Sequence, residues 1–285
     1  MIRFQEALHE HYAQLLTVER VVHRSRTRFQ EVLVFENAVF GKVLVLDGVI
    51  QLTERDNHIY HEMLAHVPLV AHGAARDVLI VGGGDGGALK EVLKHPVRSV
   101  VLAELDGEVI ELARRHLPGV SDGAFEDPRV EVVIGDAARF VAETAGEFDV
   151  VLVDSTDPLG PGEVLFSEPF YRNCRRRMRP GGLIAVQSGA PFFQPLELEM
   201  VCRRLTACFG AARPYLAPVP TYAGGSLALV AAGAAPEALC PGPEALHAGF
   251  SALAGRTRYY TPEVHGAAFV LPPMFGAPDG LSGRR

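Results

Sequence analysis

The first part of the chain carries short runs of β-branched and other apolar residues, which polar or glycine-containing turns separate. The three clearest runs are residues 17–23, 31–35 and 42–46. Runs of this length and composition predict strands, and the Asp47 and Gly48 pair after the third run favours a tight hairpin turn. We therefore predict a small antiparallel β-domain over residues 1–56.

After residue 57 the pattern predicts strands that alternate with helices. The predicted helices lie at 58–72, 88–94, 108–116 and 137–144, around Arg175, Arg176 and Arg177, and within 232–248. The predicted strands lie at 76–81, 99–103, 130–134, 148–153, 182–186, 213–216 and 226–231. This alternation is typical of a mostly parallel sheet with helices on both faces. Residues 57–285 are therefore predicted to form a doubly wound α/β domain.

Composition and charge narrow the functional classes. Of the 285 residues, 48% are hydrophobic and 21% are charged, which is ordinary for a globular protein. The formal net charge of −7 gives no electrostatic reason to expect nucleic acid or an anionic membrane as a partner. No apolar run approaches the roughly 18 residues of a membrane helix, and the N-terminus lacks a signal-peptide pattern. We expect neither nucleic acid nor a membrane as a partner.

The four cysteines are scattered and form no C-x-x-C motif. They are Cys174, Cys202, Cys208 and Cys240. Without such spacing or nearby histidines they make a poor zinc site. We interpret them as reduced thiols and predict a cytoplasmic protein, because disulfides are rare in that compartment.

A glycine-rich loop follows the first predicted strand of the α/β domain. Gly82, Gly84 and Gly87 fit G-x-G-x-x-G between a strand and a helix, where glycines permit a tight turn and close approach of a ligand. Glu104 ends the next strand about 20 residues later and can accept hydrogen bonds from ribose hydroxyls. Asp136 ends the third strand, where an adenine amino group could bind. These features predict an adenosine-containing ligand, either a dinucleotide or S-adenosylmethionine or a relative.

Asp85 lies inside this loop and discriminates between ligands by charge. It would repel a pyrophosphate, or the carboxylate of intact S-adenosylmethionine, by roughly a few kcal/mol in a partly desolvated site. It would attract a ligand that has an ammonium group and no carboxylate, as decarboxylated S-adenosylmethionine has. The structural alternative is that Asp85 points to solvent or caps the following helix.

Two more acids, Asp154 and Asp157, follow the fourth predicted strand of the sheet. Because ligands bind at the carboxyl ends of strands in open α/β sheets, we expect these acids and Asp85 to converge on one crevice. The cluster predicts a cation site for either Mg²⁺, which favours carboxylates, or an organic polyamine. The alternative is an ordinary strand-ending turn, for which Asp-Pro is common. The glycines and prolines in residues 155–166 predict a flexible lid.

Several long stretches of the chain resemble spermidine synthases. They are GKVLVLDGVIQLTERD at 41–56, YHEMLAH at 60–66, GGGDGG at 82–87, DSTDP at 154–158, PTYAGG at 220–225 and RYYTPEVHGAAFVLP at 258–272. The resemblance runs through nearly the whole chain in order. It implies a small N-terminal β-domain on a Rossmann-like, methyltransferase-type domain, assembled as a homodimer or homotetramer.

The resemblance also implies an activity and a set of site residues. The activity is transfer of an aminopropyl group from the co-substrate decarboxylated S-adenosylmethionine to putrescine, with Asp154 as general base and no metal or other cofactor. The residues implied to hold the donor are Gln30, Gly82, Gly84, Asp85, Glu104, Asp136, Ala137 and Pro161, of which Asp85 would hold its ammonium group. The residues implied to surround the amine chains are Tyr60, His61, Asp85, Asp154, Ser155, Thr156, Asp157 and Tyr222.

The identity of the acceptor amine stays open. Residues 187–193 contain no acid, whereas some members of the family have a glutamate near there that holds the far amine of the acceptor. Ala223 and the glycines after it also lie near that end. Putrescine is the default acceptor of the family, and cadaverine, agmatine and spermidine are alternatives.

Three other functions compete with aminopropyl transfer. They are methyl transfer from intact S-adenosylmethionine, non-catalytic binding of a polyamine or nucleoside, and nicotinamide-dependent oxidoreduction. The charge of Asp85 argues against the first and the third. The set of Asp154, Tyr60 and Tyr222 argues against the second.

Overall fold

The computed structural model describes residues 2–156 and 160–275, and its N-terminal strands form two antiparallel sheets. The six strands are β1 (Ile2–His9), β2 (Tyr12–Val18), β3 (Arg20–Arg26), β4 (Glu31–Asn37), β5 (Gly41–Leu46) and β6 (Val49–Thr53). β1 pairs with β2 as a hairpin, and β3 to β6 pair in chain order as a four-stranded sheet. This confirms the predicted N-terminal antiparallel β-structure.

One strand predicted from the apolar pattern is in fact two. The run at 17–23 is interrupted at Glu19, so β2 and β3 belong to different sheets. The interruption is a bend of a single residue without glycine or proline, and no turn signal therefore marks it. The turn predicted at Asp47 and Gly48 is present, with φ of 47° and 82°, as a two-residue hairpin with both central residues at positive φ requires. It leads into β6, which was not predicted as a separate strand.

The remaining strands form one seven-stranded sheet. They are β7 (Asp77–Gly82), β8 (Ser99–Glu104), β9 (Val130–Ile134), β10 (Phe148–Asp154), β11 (Met178–Gln187), β12 (Ala211–Ala217) and β13 (Leu227–Gly233). Their order is β12-β13-β11-β10-β7-β8-β9, and β13 is antiparallel to both of its neighbours whereas the other pairs are parallel. The prediction of a mostly parallel, doubly wound sheet is confirmed. The predicted domain boundary between residues 56 and 57 lies where the connection after β6 ends.

Helices pack on both faces of this sheet. They are α1 (Asn57–His72), α2 (Gly87–Leu93), α3 (Gly107–His116), α4 (Pro118–Ser121), α5 (Ala137–Glu143), α6 (Glu168–Arg176), α7 (Pro195–Phe209), α8 (Pro243–Phe250) and α9 (Pro262–Ala268). Side chains alternate between the faces of a strand, so Val78 and Ile80 of β7 join the core beneath α1 and α2, and Leu79 and Val81 join the core beneath α5 to α7. Over the described ranges, no helix combines the length and apolar character needed to cross a bilayer.

The sequence reasoning missed α7 and α9. α7 begins with Pro195 at its first position and ends against Gly210, two boundary signals that are visible in the sequence. α9 likewise begins with a proline, after the capping hydroxyl of Thr261. No element was predicted for residues 195–209 or 262–268, so these boundary signals were overlooked although the sequence shows them.

The order of the strands reverses between β7 and β10, at the centre of the sheet. The chain continues from β7 outward through β8 and β9, then returns to β10 and continues outward on the other side. Gly82 and Asp154, the last residues of the two strands, pair in register. In open α/β sheets, ligands bind outside the carboxyl ends of the strands at such a reversal.

Helix α1 is buried along most of its length and is held by two buried carboxylates. Glu62 accepts hydrogen bonds of 2.8 Å from the backbone N–H groups of residues 258–260. Asp56, just before the helix, accepts hydrogen bonds from the backbone N–H and the hydroxyl of Thr221 at 2.9 and 2.6 Å. These contacts fix the first two turns of α1, which carry Tyr60 and His61 toward the end of β10.

Candidate active site

A cleft of about 530 Å³ opens at the carboxyl ends of β7 and β10 and is also lined by β1, β5 and β6. The predicted site residues that line it are Gln30, Tyr60, His61, Gly82, Gly84, Asp85, Glu104, Asp136, Ala137, Asp154, Ser155, Thr156 and Tyr222. Pro161 lies in the 3-10 segment Gly160–Phe166, of which Gly162 and Leu165 line the cleft. Asp157 and part of the predicted lid lie outside the described residues, so both stay predictions.

The glycine loop packs directly against the end of β10. The backbone N–H of Gly83 donates to the carbonyl oxygen of Asp154 at 2.9 Å, and a Cβ on Gly82 would overlap that oxygen. Gly82 also has a φ of 80°, which favours glycine. A Cβ on Gly84 would lie 3.1 Å from a carboxylate oxygen of Glu104. The glycines therefore let β7, β8 and β10 end close together around one point.

Asp85 is bound to both the loop and helix α1. Its Oδ1 accepts a hydrogen bond from the backbone N–H of Gly87 at 2.6 Å and lies 3.3 Å from Nε2 of His61. Burial alone would raise the pKa of Asp85, but the charge and hydrogen bond of His61 outweigh it and hold that pKa below its ordinary value. Asp85 therefore has two roles. It supports the start of α2, as the alternative of a helix-capping residue predicts, and it also lines the cleft.

Asp154 is half-buried at the base of the cleft beside Tyr60. The Tyr60 hydroxyl donates to Oδ1 of Asp154 at 2.5 Å, whereas Oδ2 is buried without a hydrogen-bond partner among the described residues. Burial, reinforced by the charge of Asp85, raises the pKa of Asp154 to about 6. A buried carboxylate oxygen without a partner is costly, so this atom is suited to receive a proton or a cationic ligand.

Glu104 ends β8 and is likewise half-buried. Burial raises its pKa to about 7, although its Oε1 accepts the backbone N–H of Asp106 at 2.9 Å. Asp106 caps helix α3 and accepts hydrogen bonds from the side chains of Thr27 and Gln30 at 2.6 and 3.0 Å. Gln30 is therefore connected to Glu104 through Asp106. Sequence reasoning missed Asp106, although an Asp between a strand and a helix is a recognisable capping signal.

Asp136 and Ala137 lie at the end of β9, where helix α5 begins. Oδ1 of Asp136 caps that helix by accepting the backbone N–H groups of Ala138 and Arg139 at 2.8 and 3.2 Å. The structure thus reveals a capping role for this side chain. Contact of Asp136 with an adenine amino group stays a prediction.

Tyr60, which contacts Asp154, and Tyr222 form an aromatic wall of the cleft. Their ring centroids are 6.2 Å apart in an edge-to-face arrangement. The Tyr222 hydroxyl donates to the carbonyl oxygen of Gln51 in β6 at 2.6 Å, and its neighbour Thr221 is held by Asp56. The wall therefore depends on contacts between the N-terminal strands and the C-terminal part of the chain.

Glu6 is an acid of the cleft that sequence reasoning missed. It lies on β1, is 4% exposed, and lines the cleft. Its two oxygens accept hydrogen bonds from the backbone N–H of Ile50 at 2.7 Å and the side chain of Gln14 at 2.8 Å. Gln14 also donates to the carbonyl oxygen of Thr221, so Glu6 is near Tyr222. No local motif marks Glu6, because its place in the site depends on the pairing of distant strands.

The centre of the cleft can hold a positive charge. One ligand atom each from His61, Asp85 and Asp154 lies within 4.8 Å of the other two. Two acids and an imidazole so close together could bind a metal ion or an organic ammonium group. Asp85 and Asp154 are thus brought together as predicted, and His61 joins them from helix α1.

The fold and the cleft define an α/β protein of the methyltransferase-like class, in which a glycine loop and a strand-ending glutamate adjoin a site for positive charge. The family model of the spermine/spermidine synthase domain matches residues 57–239, and that of the spermidine synthase tetramerisation domain matches residues 3–54. The chain belongs to the spermidine synthase family of polyamine aminopropyltransferases, which are transferases.

Individual relatives resemble nearly the whole chain. A polyamine aminopropyltransferase of Ruegeria sp. is 50% identical over 268 residues, 94% of each chain. Polyamine aminopropyltransferase 1 of Pseudomonas aeruginosa is 48% identical over 274 residues, 95% of this chain and 96% of the relative. A spermidine synthase solved with the transition-state analogue AdoDATO has a TM-score of 0.91 at 36% identity and covers 98% of this chain and 95% of its own. The predicted family and fold are confirmed.

Replacing Gly87 by alanine tests the packing of the loop against α1. A Cβ at this position would overlap the His61 ring, so the ring or the loop must move. We expect Gly87→Ala to lower the free energy of unfolding by about 1–3 kcal/mol and to slow aminopropyl transfer by about 100-fold. Chemical unfolding and the rate of product formation measure the two effects.

The matched control is Gly119→Ala in α4, where an added Cβ meets nothing within 4 Å. We expect this variant to match the wild type in both measurements. A Gly87→Ala variant that also matched the wild type would show that the His61 ring is not confined as described.

Proposed function

We propose that this chain is a spermidine synthase, which transfers the aminopropyl group of decarboxylated S-adenosylmethionine to putrescine and yields spermidine and S-methyl-5'-thioadenosine. The observation that carries the proposal is the pair of half-buried acids, Asp85 and Asp154, which line the cleft together at the reversal of the sheet. The two acids suit two ammonium groups, one from each substrate. The polyamine aminopropyltransferase relatives and the neighbour that binds AdoDATO support the same chemistry.

The donor would lie along the carboxyl edge of β7, β8 and β9. Glu104 would accept the ribose hydroxyls, and the backbone of Gly82 and Gly84 would allow the sulfonium to approach. Asp136 and Ala137 would enclose the adenine, and the resemblance to spermidine synthases adds Pro161 to that set. Asp85 would pair with the donor's ammonium group, and its negative charge would disfavour intact S-adenosylmethionine, whose carboxylate would meet it.

The acceptor would lie along the aromatic wall of Tyr60 and Tyr222 with its attacking nitrogen at Asp154. Ser155, Thr156 and Asp157 follow Asp154 and would line the same side. The far ammonium group would point toward Glu6, which supplies a carboxylate that residues 187–193 lack. This acid on β1 favours a diamine over an acceptor with an uncharged far end.

The reaction would be an in-line displacement at the methylene carbon next to the sulfonium. The lone pair of the acceptor nitrogen forms the new C–N bond while the C–S bond breaks and its electron pair returns to sulfur. The leaving group is therefore a neutral thioether. The nitrogen, which becomes positively charged, passes one proton to Asp154. Because sulfur leaves as a neutral group, we propose that no metal or redox cofactor is needed.

Asp154 would act as the general base. An alkylamine has a pKa of about 10.4, so its neutral form costs roughly 4 kcal/mol at pH ~7.4. A carboxyl whose pKa is raised to about 6 is a better base than an ordinary Asp, though still too weak to deprotonate a free amine completely. The nearby sulfonium and donor ammonium would lower the pKa of the amine, and its proton becomes more acidic as the C–N bond forms. Positioning of the substrates would supply up to about 7–11 kcal/mol more.

We also propose that the chain assembles as a homo-oligomer, with a homotetramer favoured over a homodimer. Residues 3–54 match the tetramerisation domain of the family, and several apolar side chains on the same strands are exposed. These side chains are Ile2, Tyr12, Leu15 and Val21. Light scattering of the purified protein should give a mass about four times that of the chain.

A cytoplasmic location stays a prediction, with which the four free thiols agree.

The proposed function is tested by supplying decarboxylated S-adenosylmethionine with putrescine, cadaverine, agmatine or spermidine, in the presence of EDTA. We expect spermidine from putrescine as the fastest product, identified by mass spectrometry. A faster product from another amine would keep the mechanism and change the acceptor. Absence of aminopropyl transfer to every amine, with and without added Mg²⁺, would refute the proposal.

Asp154→Asn tests the general base. Asn keeps the shape and an oxygen for the Tyr60 hydroxyl but cannot take a proton at this pH. We expect turnover to fall by about 10²- to 10⁴-fold, while the affinity for methylthioadenosine, measured by calorimetry, changes little. Near-normal turnover in this variant would show that another group accepts the proton.

A further inference from the structure

His61 makes a polar contact at each of its two ring nitrogens. Nε2 lies 3.3 Å from Oδ1 of Asp85, and Nδ1 lies 3.4 Å from Oδ1 of Asn57. The ring is fully buried, and a Cβ on Gly87 would overlap it, so the ring has no room to turn away. Both nitrogens therefore face oxygen atoms in a fixed geometry.

The orientation of the Asn57 amide is fixed by its other contacts. Its Nδ2 donates to the backbone carbonyl oxygens of Thr53 at 2.7 Å and Glu54 at 3.0 Å. These two oxygens can only accept, so the amide nitrogen must face them and Oδ1 must face His61. Nδ1 of His61 is consequently the donor in its contact with Asn57.

This assignment determines the state of the second nitrogen. A neutral imidazole carries only one N–H, so with Nδ1 as donor its Nε2 would present a lone pair to the Asp85 carboxylate. An imidazolium instead donates from both nitrogens and satisfies both oxygens. The empty site therefore favours the charged ring.

The charged groups around the ring support the same state. Burial alone would lower the pKa of His61, but the charge and hydrogen bond of Asp85 outweigh it, Asp154 adds to the effect, and the pKa lies above its ordinary value. Lys90 of α2 acts in the opposite direction and is weaker. Tyr60, next to His61 on α1, stays neutral because burial and the Asp154 charge raise its pKa well above the ordinary value.

We propose that His61 holds a proton in the empty site and releases it to solvent when the ammonium group of the donor pairs with Asp85. The inference rests on the proposed function, because it takes the donor's ammonium as the incoming cation. After release, Nδ1–H still faces Asn57, and the lone pair of Nε2 faces the ammonium and can accept a hydrogen bond from it. Until the donor arrives, the protonated His61 ring also pairs with Asp85, so acceptor amines compete less well for that carboxylate.

Proton release makes donor affinity depend on pH. Below the pKa of His61 in the empty site, binding that releases one proton strengthens about tenfold for each unit by which pH rises. Above that pKa the ring is already neutral, and this contribution disappears. Methylthioadenosine has the same nucleoside but neither the ammonium nor the positive sulfur, so it should bind without this contribution. Any proton that Glu104 releases to solvent when the ribose binds is common to both ligands and cancels in the comparison.

The experiment is calorimetric titration of the full chain with decarboxylated S-adenosylmethionine and with methylthioadenosine. The titrations are run between about pH 6 and pH 9. At each pH, buffers of different ionisation enthalpy are compared, which gives the number of protons released on binding. We expect the wild type to release up to one more proton with the donor than with methylthioadenosine. His61→Gln keeps a polar side chain but cannot titrate, and should lose most of this extra release. His58→Gln, a neighbour on α1 that does not line the cleft, should retain it.

If His61→Gln still released more protons with the donor than with methylthioadenosine, to the same extent as the wild type, the proton would come from another group, such as Asp154. That result would overturn the proposal. Equal release for the two ligands in the wild type would overturn it as well, and this comparison needs no variant to fold. Failure of the proposed function is distinguishable, because it would appear as absence of aminopropyl transfer in the wild type.

Discussion

The close contact between the glycine loop and the end of β10 is the constraint on which the site depends. Gly83 donates to the Asp154 carbonyl oxygen, and there is no room for a side chain at Gly82. The contact brings the residues that follow β7 and those that end β10 to one point at the reversal of the sheet. Asp85 and Asp154 consequently lie in one partly enclosed cleft, where like charges repel more strongly than in water.

Helix α1 offsets part of this repulsion. Nε2 of His61 lies 3.3 Å from Asp85 and, in the protonated form that we propose, faces it with a positive charge, and the Tyr60 hydroxyl donates to Asp154. Neither side chain could do so if the helix shifted, and the buried carboxylates of Glu62 and Asp56 prevent such a shift. One oxygen of Asp154 nevertheless has no hydrogen-bond partner among the described residues. The negative charge of Asp85 and Asp154 is therefore only partly balanced by the protein itself. This suits a site for two cationic substrates, because the substrates supply the remaining positive charge.

The sequence was sufficient to predict the features that local patterns encode. The alternation of strands and helices, the glycine loop and the acids that end strands all follow from short stretches of chain, and Glu104, Asp85 and Asp154 therefore reach the cleft as expected. The bend at Glu19 was not predictable, because it interrupts an apolar run without a turn-forming residue. Glu6 was missed for a different reason: its place depends on pairing with strands far along the chain, which no local pattern records. Asp106 was missed although its capping position was visible.

The N-terminal strands complete the cleft at both of its ends. Contacts of this kind join residues far apart in the sequence, so local sequence motifs do not predict them. Near Glu104, the side chains of Gln30 and Thr27 reach Asp106. Near Tyr222, the carbonyl oxygen of Gln51 receives the tyrosine hydroxyl. Gln30 directly precedes β4 and Gln51 lies on β6 of the same four-stranded sheet, so one rigid element contacts the region expected for the donor and the region expected for the acceptor. The α/β sheet alone would retain its acids in an open crevice, where water screens charges and the acceptor lacks its aromatic wall. The N-terminal strands thus help to convert a nucleoside-binding edge into an enclosed site in which two cations can be held together.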